Sequence, residues 1–166
     1  KKINSAVFPG LQGGPHNGQI AAIATQLKEV MSPEYKLYMQ QVRLNAQILA
    51  NQLMKYGYNI CTNGTDNHII LVDLRKHDIS GSKIEKICEY VNISINKNSV
   101  VGDKSALNPG GIRLGTSSLT TRGFKEQEAS QIANWIADII EDANNDEKTQ
   151  SIKNKVLDLC AKFPVY

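Results

Sequence analysis

A change of hydrophobic period part-way along the chain constrains the fold most. Between Ser32 and Gly57 apolar residues recur at intervals of three and four: Tyr35, Tyr38, Val42, Ala46, Leu49 and Leu53. That spacing lays one apolar stripe along a single long helix. Ser32 can cap it, Pro33 fits its first position, and Gly57 is suited to end it. Beyond Gly57 the pattern breaks into short runs. His68 to Asp73 is a β-branched run bounded by Gly64 and Asp66, which predicts a strand. Ile93 to Lys97 and Gly111 to Thr116 alternate, as half-buried strands do. Ser80 to Val91 and Phe124 to Ala143 carry helical stripes, with Ile84, Ile87, Cys88 and Val91 inward in the first. In the second, Ala129, Ile132, Ala133, Ile136 and Ile140 point inward. Ser82 and Glu85 have capping-box spacing. Asn144 to Glu147 predicts a break, followed by a short last helix from Ile152 to Ala161.

After Gly57 the order is strand, helix, strand, strand, helix. Two strands joined by a loop without a helix are most simply antiparallel. The expected architecture is an α+β unit over residues 57–166, a small antiparallel sheet with helices on one face. Residues 1–56 read as the end of a different unit. Within them Asn4 to Gly18 is rich in Gly, Pro and Asn and predicts irregular chain. Gln19 to Met31 predicts a helix with Ile20, Ile23, Ala24 and Leu27 on one side.

Composition narrows the functional classes. No apolar run approaches the ~20 residues of a membrane span. The 19 basic and 16 acidic residues are dispersed and leave a net charge of +3, so nucleic acid is not indicated. Cys61, Cys88 and Cys160 are far apart and form no metal spacing with His16, His68 or His77, which predicts structural thiols in a reducing compartment. The start at Lys1-Lys2-Ile3-Asn4 carries no initiator Met and no signal pattern. It predicts a processed chain or a piece of a longer one.

Several residues could carry chemistry. In the 111–116 strand Ile112 and Leu114 must face the core, so Arg113 faces the other side of the sheet. With Gly110, Gly111 and Gly115 around it, its guanidinium could bind a carboxylate through two parallel hydrogen bonds. The plain alternative is a solvated surface arginine. Gly13-Gly14-Pro15 precedes a helix, where backbone N–H groups can approach an anion, or it is simply a turn and cap. It is neither a Walker A loop nor a dinucleotide fingerprint. Asn96-Lys97-Asn98-Ser99 could read a heteroaromatic edge, or merely solvate a turn. His16 and His68 could act as bases or be structural. Thr121 is expected to stabilise the turn before the following helix.

Taken together, these segments resemble the serine hydroxymethyltransferase family. The resemblance rests on Ile3-Asn4-Ser5-Ala6-Val7-Phe8-Pro9, Gln12-Gly13-Gly14-Pro15-His16-Asn17, Gly64-Thr65-Asp66-Asn67-His68, Asn96-Lys97-Asn98-Ser99, Gly111-Ile112-Arg113-Leu114-Gly115-Thr116 and Thr120-Thr121-Arg122-Gly123-Phe124. They occur in the family's order and cover essentially the whole chain, matching the C-terminal part of the enzyme. The Phe163-Pro164 ending resembles the tail of eukaryotic cytosolic members. The family's His-Lys-Thr motif, with the lysine that holds pyridoxal phosphate, is not in this chain. The isolated chain is therefore expected to be inactive, with no catalytic residue of its own.

The resemblance implies an α/β fold of the fold-type I pyridoxal-phosphate class. Residues 1–56 would end the large cofactor-binding domain and include a long linking helix, and 57–166 would be the small C-terminal domain. It implies that Arg113 binds the amino-acid carboxylate, and that Gly13 and Gly14 approach the cofactor phosphate from the neighbouring subunit. Asn98, Phe8 and Ser105 would lie against folate. The loop Ser105-Ala106-Leu107 departs from the Ser-Pro-Phe of some relatives, and Gly18 stands where many have histidine. The implied reaction interconverts serine plus tetrahydrofolate with glycine plus 5,10-methylenetetrahydrofolate. The implied partners are the N-terminal part of the same enzyme in a homodimer or homotetramer, with a cytoplasmic home. No metal and no membrane enter this picture. Two alternatives are a non-catalytic fragment binding a partner through the Tyr35–Leu53 stripe, and another fold-type I enzyme such as an aminotransferase. Asn98 and its loop separate the folate enzyme from the latter.

Overall fold

The structure, a computed structural model, describes residues 1–105 and 107–165. By packing the chain divides into two compact units, Lys1–Leu37 and a second that begins at Tyr38 and takes in the rest.

The first unit contains helix α1 (Lys2–Ser5), further helical turns to Leu11 that are broken at Phe8 (φ −135°, ψ 123°), helix α2 (Asn17–Val30) and the start of helix α3 (Pro33–Lys55). The expectation of irregular chain over 4–18 is thus corrected in part: Phe8 and Gln12 to His16 lack helical form, and α2 starts two residues before Gln19. Every residue from Lys1 to Met31 is exposed, including Ile3, Phe8, Leu11, Ile20, Ile23 and Leu27. The Ser32 hydroxyl accepts the Tyr35 N–H at 3.1 Å and so caps α3, as its position before Pro33 predicts.

In the second unit α3 buries Val42, Asn45, Ala46, Leu49, Ala50 and Leu53, the expected stripe with one polar member. Gly57 ends the helix at φ +85°, a conformation open to glycine. Its N–H reaches the Met54 carbonyl at 2.9 Å and that of Tyr58 reaches Leu53 at 3.2 Å, a paired closure of the last turn. Strands β1 (Asn59–Ile60), β2 (Ile69–Asp73), β3 (Asn96–Asn98) and β4 (Gly111–Gly115) form one antiparallel sheet in the order β1-β2-β4-β3. Helix α4 (Gly81–Tyr90), the short helix α5 (Ser117–Thr121), helix α6 (Glu126–Glu141) and helix α7 (Asp146–Lys162) complete it. Ile60, Ile70, Val72, Ile112 and Leu114 point from the sheet into a core shared with α3, α4, α6 and α7. The expected sheet with helices on one face is what the chain forms.

Three local expectations are corrected. The cap of α4 is Ser80, whose hydroxyl accepts the Lys83 N–H at 3.2 Å, while the Ser82 hydroxyl is buried without a partner. Glu85 instead accepts the Lys97 N–H at 2.9 Å and pairs with the Lys97 ammonium at 3.5 Å. The third strand begins at Asn96 rather than Ile93, because α4 closes through Asn92 at φ +64° with Ile93 N–H bonded to Cys88 at 2.8 Å. Ile93 therefore packs on the core as part of a helix end, not as the first residue of a strand. Asn145 both breaks α6 from α7 and starts α7, since its side chain accepts the Lys148 N–H at 2.9 Å. The last helix consequently starts six residues before Ile152.

A buried polar network joins α3 to the 116–124 segment. Asn45 is fully buried; its amide donates to the Thr120 hydroxyl at 3.0 Å and the Phe124 carbonyl at 2.9 Å, and accepts from Gln41 at 2.9 Å. Thr116 donates to the Val42 carbonyl at 2.8 Å, and Thr120 to the Thr116 carbonyl at 2.8 Å. Thr121 Oγ1 lies 3.0 Å from both the Ser117 carbonyl and the Tyr38 hydroxyl, so it stabilises this turn as expected. Arg122 donates to the Cys160 carbonyl at 3.2 Å, in the last turn of α7, where a cation complements the helix dipole.

Candidate functional site

The uncovered face of the sheet is set by strand parity. Since Ile112 and Leu114 are buried, Arg113 between them projects to the opposite face and is exposed. The register sets Leu71 opposite it on β2 and Asn96 opposite it on β3. Two positions further, Asp73, Gly111 and Asn98 share the same face. Arg113 thus stands on the inner strand β4 of an open polar surface. Among the described residues its one hydrogen bond to another side chain is a long one, donated by Nη2 to Asn96 Oδ1 at 3.4 Å. A guanidinium held this loosely keeps a free edge for a carboxylate, which it can grip through two N–H groups.

Asn98 lies half-buried at the end of β3, its Nδ2 donating to the Ser99 carbonyl at 2.8 Å, and its Oδ1 accepts no hydrogen bond among the described residues. The sheet brings Arg113 and Asn98 onto one face. Ser105, in the loop that follows β3, accepts the Leu107 N–H at 3.2 Å. Of the loop residues singled out above, Ala106 lies outside the described residues. Phe8, Gly13 and Gly14 belong to the first unit and are exposed. A methyl group added to Gly13 or Gly14 would meet nothing within 4 Å, so their backbone is open to close approach by a ligand such as a phosphate. His16 lies 3.2 Å from Gln19 Oε1 through Nδ1, and the exposed His68 takes part through its backbone carbonyl, which accepts Thr116 N–H at 3.1 Å.

Charge beside the open face is organised by residues that sequence reasoning missed. Asp73 ends β2, and both its oxygens are taken by Arg75, from Nε at 2.9 Å and Nη2 at 2.7 Å, with the Arg75 N–H adding a third bond at 3.1 Å. These bonds hold the Asp73 carboxyl down at about 2, although partial burial pushes the other way. Hydrogen bonds from the Gly110 and Val100 backbone likewise lower Asp103. The Asp-x-Arg spacing is a local signal for the first pair; nothing local marks the second. Among the described residues no cluster of three His, Cys, Asp or Glu could hold a metal ion. Burial raises the Cys88 thiol to about 12, which fits a structural thiol rather than a nucleophile.

The Asp73 shift has a testable sign. Its folded pKa lies below the ordinary carboxylate value, so its stabilising contribution is present above about pH 4 and is lost as pH falls towards about 2. The melting temperature of Asp73→Asn is expected below that of the unsubstituted protein at neutral pH. The two curves should converge by about pH 2. Parallel curves over that range would refute the assignment.

Comparison with known proteins gives the family. The family profile described as serine hydroxymethyltransferase matches residues 1–136. A protein named serine hydroxymethyltransferase from Coxiella burnetii (strain Dugway 5J108-111) is 48% identical over 167 aligned positions, covering 100% of this chain and 40% of its own length. One of the same name from Shewanella woodyi (strain ATCC 51908 / MS32) is 46% identical with the same coverage. The chain spans 40% of their length and corresponds to their C-terminal part. With a family match over most of its length and close to half of its residues identical to such relatives, this chain belongs to the serine hydroxymethyltransferase family.

Proposed function

We propose that the whole protein carrying this chain interconverts serine plus tetrahydrofolate with glycine plus 5,10-methylenetetrahydrofolate, using pyridoxal phosphate. The observation that carries this reading is Arg113, a lightly engaged guanidinium on an open sheet face in a chain of this family. Pyridoxal phosphate, when bound, supplies an electron sink for charge developing at the amino acid's α-carbon. The residues present fit part of that group's site. Gly13 and Gly14 offer unobstructed backbone to a phosphate, while the family's His-Lys-Thr motif is not among these residues.

Arg113 binds the carboxylate of serine or glycine and fixes its orientation, so that one bond at the α-carbon is presented for cleavage. Asn98 hydrogen-bonds the pteridine edge, with Ser105 and Phe8 alongside the folate. Residues 1–56 finish the large domain and 57–166 form the small one. The partners are the N-terminal part of the same protein and further copies, in a cytoplasmic homodimer or homotetramer. Thirty-one consecutive exposed residues, Lys1 to Met31, with large apolar side chains among them, support a partner surface beyond this chain. Without the lysine motif the isolated chain does not turn over.

The test is to supply the whole protein, loaded with pyridoxal phosphate, with labelled serine, with and without tetrahydrofolate. Glycine formation that requires tetrahydrofolate supports the reading. Amino transfer to a keto acid with no folate requirement would replace it with the aminotransferase alternative. No reaction of either kind would leave the partner-binding alternative.

A further inference from the structure

Strands β3 and β4 carry Asn98 and Arg113 on one face, and the backbone between them returns through residues 99–110. One carboxylate closes the base of that return. Asp103 Oδ2 accepts the N–H of Val100 at 2.9 Å and the N–H of Gly110 at 2.8 Å. Val100 comes two residues after Asn98, and Gly110 three before Arg113. A single oxygen atom therefore ties the chain leaving one candidate ligand to the chain approaching the other.

The packing around this tie leaves little slack. The buried Val100 side chain occupies the space beside Gly111, where an added methyl group would sit 2.6 Å from Val100 Cγ1. Arg75 braces Gly110 from the other side. Its fork is fixed on Asp73, and its stem passes so close that a methyl group on Gly110 would sit 2.5 Å from Arg75 Cγ. The Gly110 carbonyl is fixed in turn by the Leu74 N–H at 2.8 Å.

We propose that Asp103 is a positioning residue: by clipping Val100 to Gly110, with Arg75 as brace, it sets the placement of Asn98 relative to Arg113. It thereby sets affinity for the pteridine-bearing co-substrate without touching either substrate. This deepens the function proposed above and rests on it. Positioning by backbone ties of this kind is worth large factors, because small displacements of a binding group are costly. The carboxylate binds at Arg113 whether or not Asn98 is in place, so loss of the clip falls on one substrate.

The experiment uses the whole protein. Asp103→Ala should raise the KM for tetrahydrofolate about tenfold, while the glycine dissociation constant moves by less than about twofold. Amide exchange at Val100 and Gly110 should quicken in that variant. Asp103→Asn keeps a neutral acceptor oxygen and should recover most of the affinity, with a residual rise of about twofold to threefold. Equal changes for both substrates would mean general damage and overturn the proposal, as would an unchanged tetrahydrofolate KM with faster exchange at the two amides. Where Asp103→Ala does not fold, Asp103→Asn is decisive: no rise confined to tetrahydrofolate overturns it. An unsubstituted protein that makes no use of tetrahydrofolate fails the functional reading itself. An active one with unsplit constants fails only this inference.

Discussion

Arg113→Ala in the complete enzyme is expected to weaken glycine binding by about a hundredfold or more, equivalent to about 3 kcal/mol. On the proposed role, the magnitude follows from removing a two-pronged, charge-assisted contact and leaving the substrate carboxylate without its counter-charge. Arg113→Lys should recover little of the loss, since an ammonium cannot present two parallel N–H groups to one carboxylate. Stability should hardly change. Arg113 is exposed, and its side-chain bond to Asn96 is long at 3.4 Å. A glycine titration and a melting curve on each variant separate binding from folding. Near-native glycine affinity in Arg113→Ala would remove the residue from the site.

Asn45→Ala should do the opposite, unfolding the chain more easily while leaving the open face of the sheet untouched. Asn45 is fully buried in the stripe of α3, donating to Thr120 and the Phe124 carbonyl and accepting from Gln41. Alanine deletes all three bonds at once and leaves polar groups buried beside a small void. The cost is about 3 kcal/mol, which lowers the melting temperature by about 10 °C in a domain of this size. A melting temperature within a couple of degrees of the unsubstituted protein would show that water replaces the lost partners.

Most of what periodicity governs was legible in the sequence. The α3 stripe, the 69–73 strand and the outward face of Arg113 follow from the spacing of apolar residues, and Gly57 from its place at the stripe's end. What escaped belongs to residues with two possible uses. Asn145 is a helix breaker and a helix cap, and only the geometry of the following turn decides. Ile93 alternates with Ile95 like a strand residue, yet the left-handed turn at Asn92 makes it the closing contact of α4. Ser80 and Ser82 both suit a cap, and the backbone selects the first. Asn45 lies in an apolar stripe, and its need for partners is met by residues 75 and 79 positions away. For the candidate site, parity gives the outward face of Arg113 while its proposed carboxylate-binding role comes from the family resemblance, and the bonds of Asp103 to Val100 and Gly110 carry no local sequence signal.

The strand order β1-β2-β4-β3 also bears on how the protein comes into being. Arg113 sits on an inner strand whose neighbour on one side is β2, with Ile70 paired to Leu114 although 43 residues lie between them in the chain. Such a pairing closes late, because the entropy of a long loop is surrendered before its contacts are gained. A ribosome must release residues through Gly115 before the centre of the sheet can exist at all. The open face that carries Arg113 therefore exists only in molecules whose β2–β4 pairing has formed, so on its proposed role the arginine meets a carboxylate only after the sheet is complete.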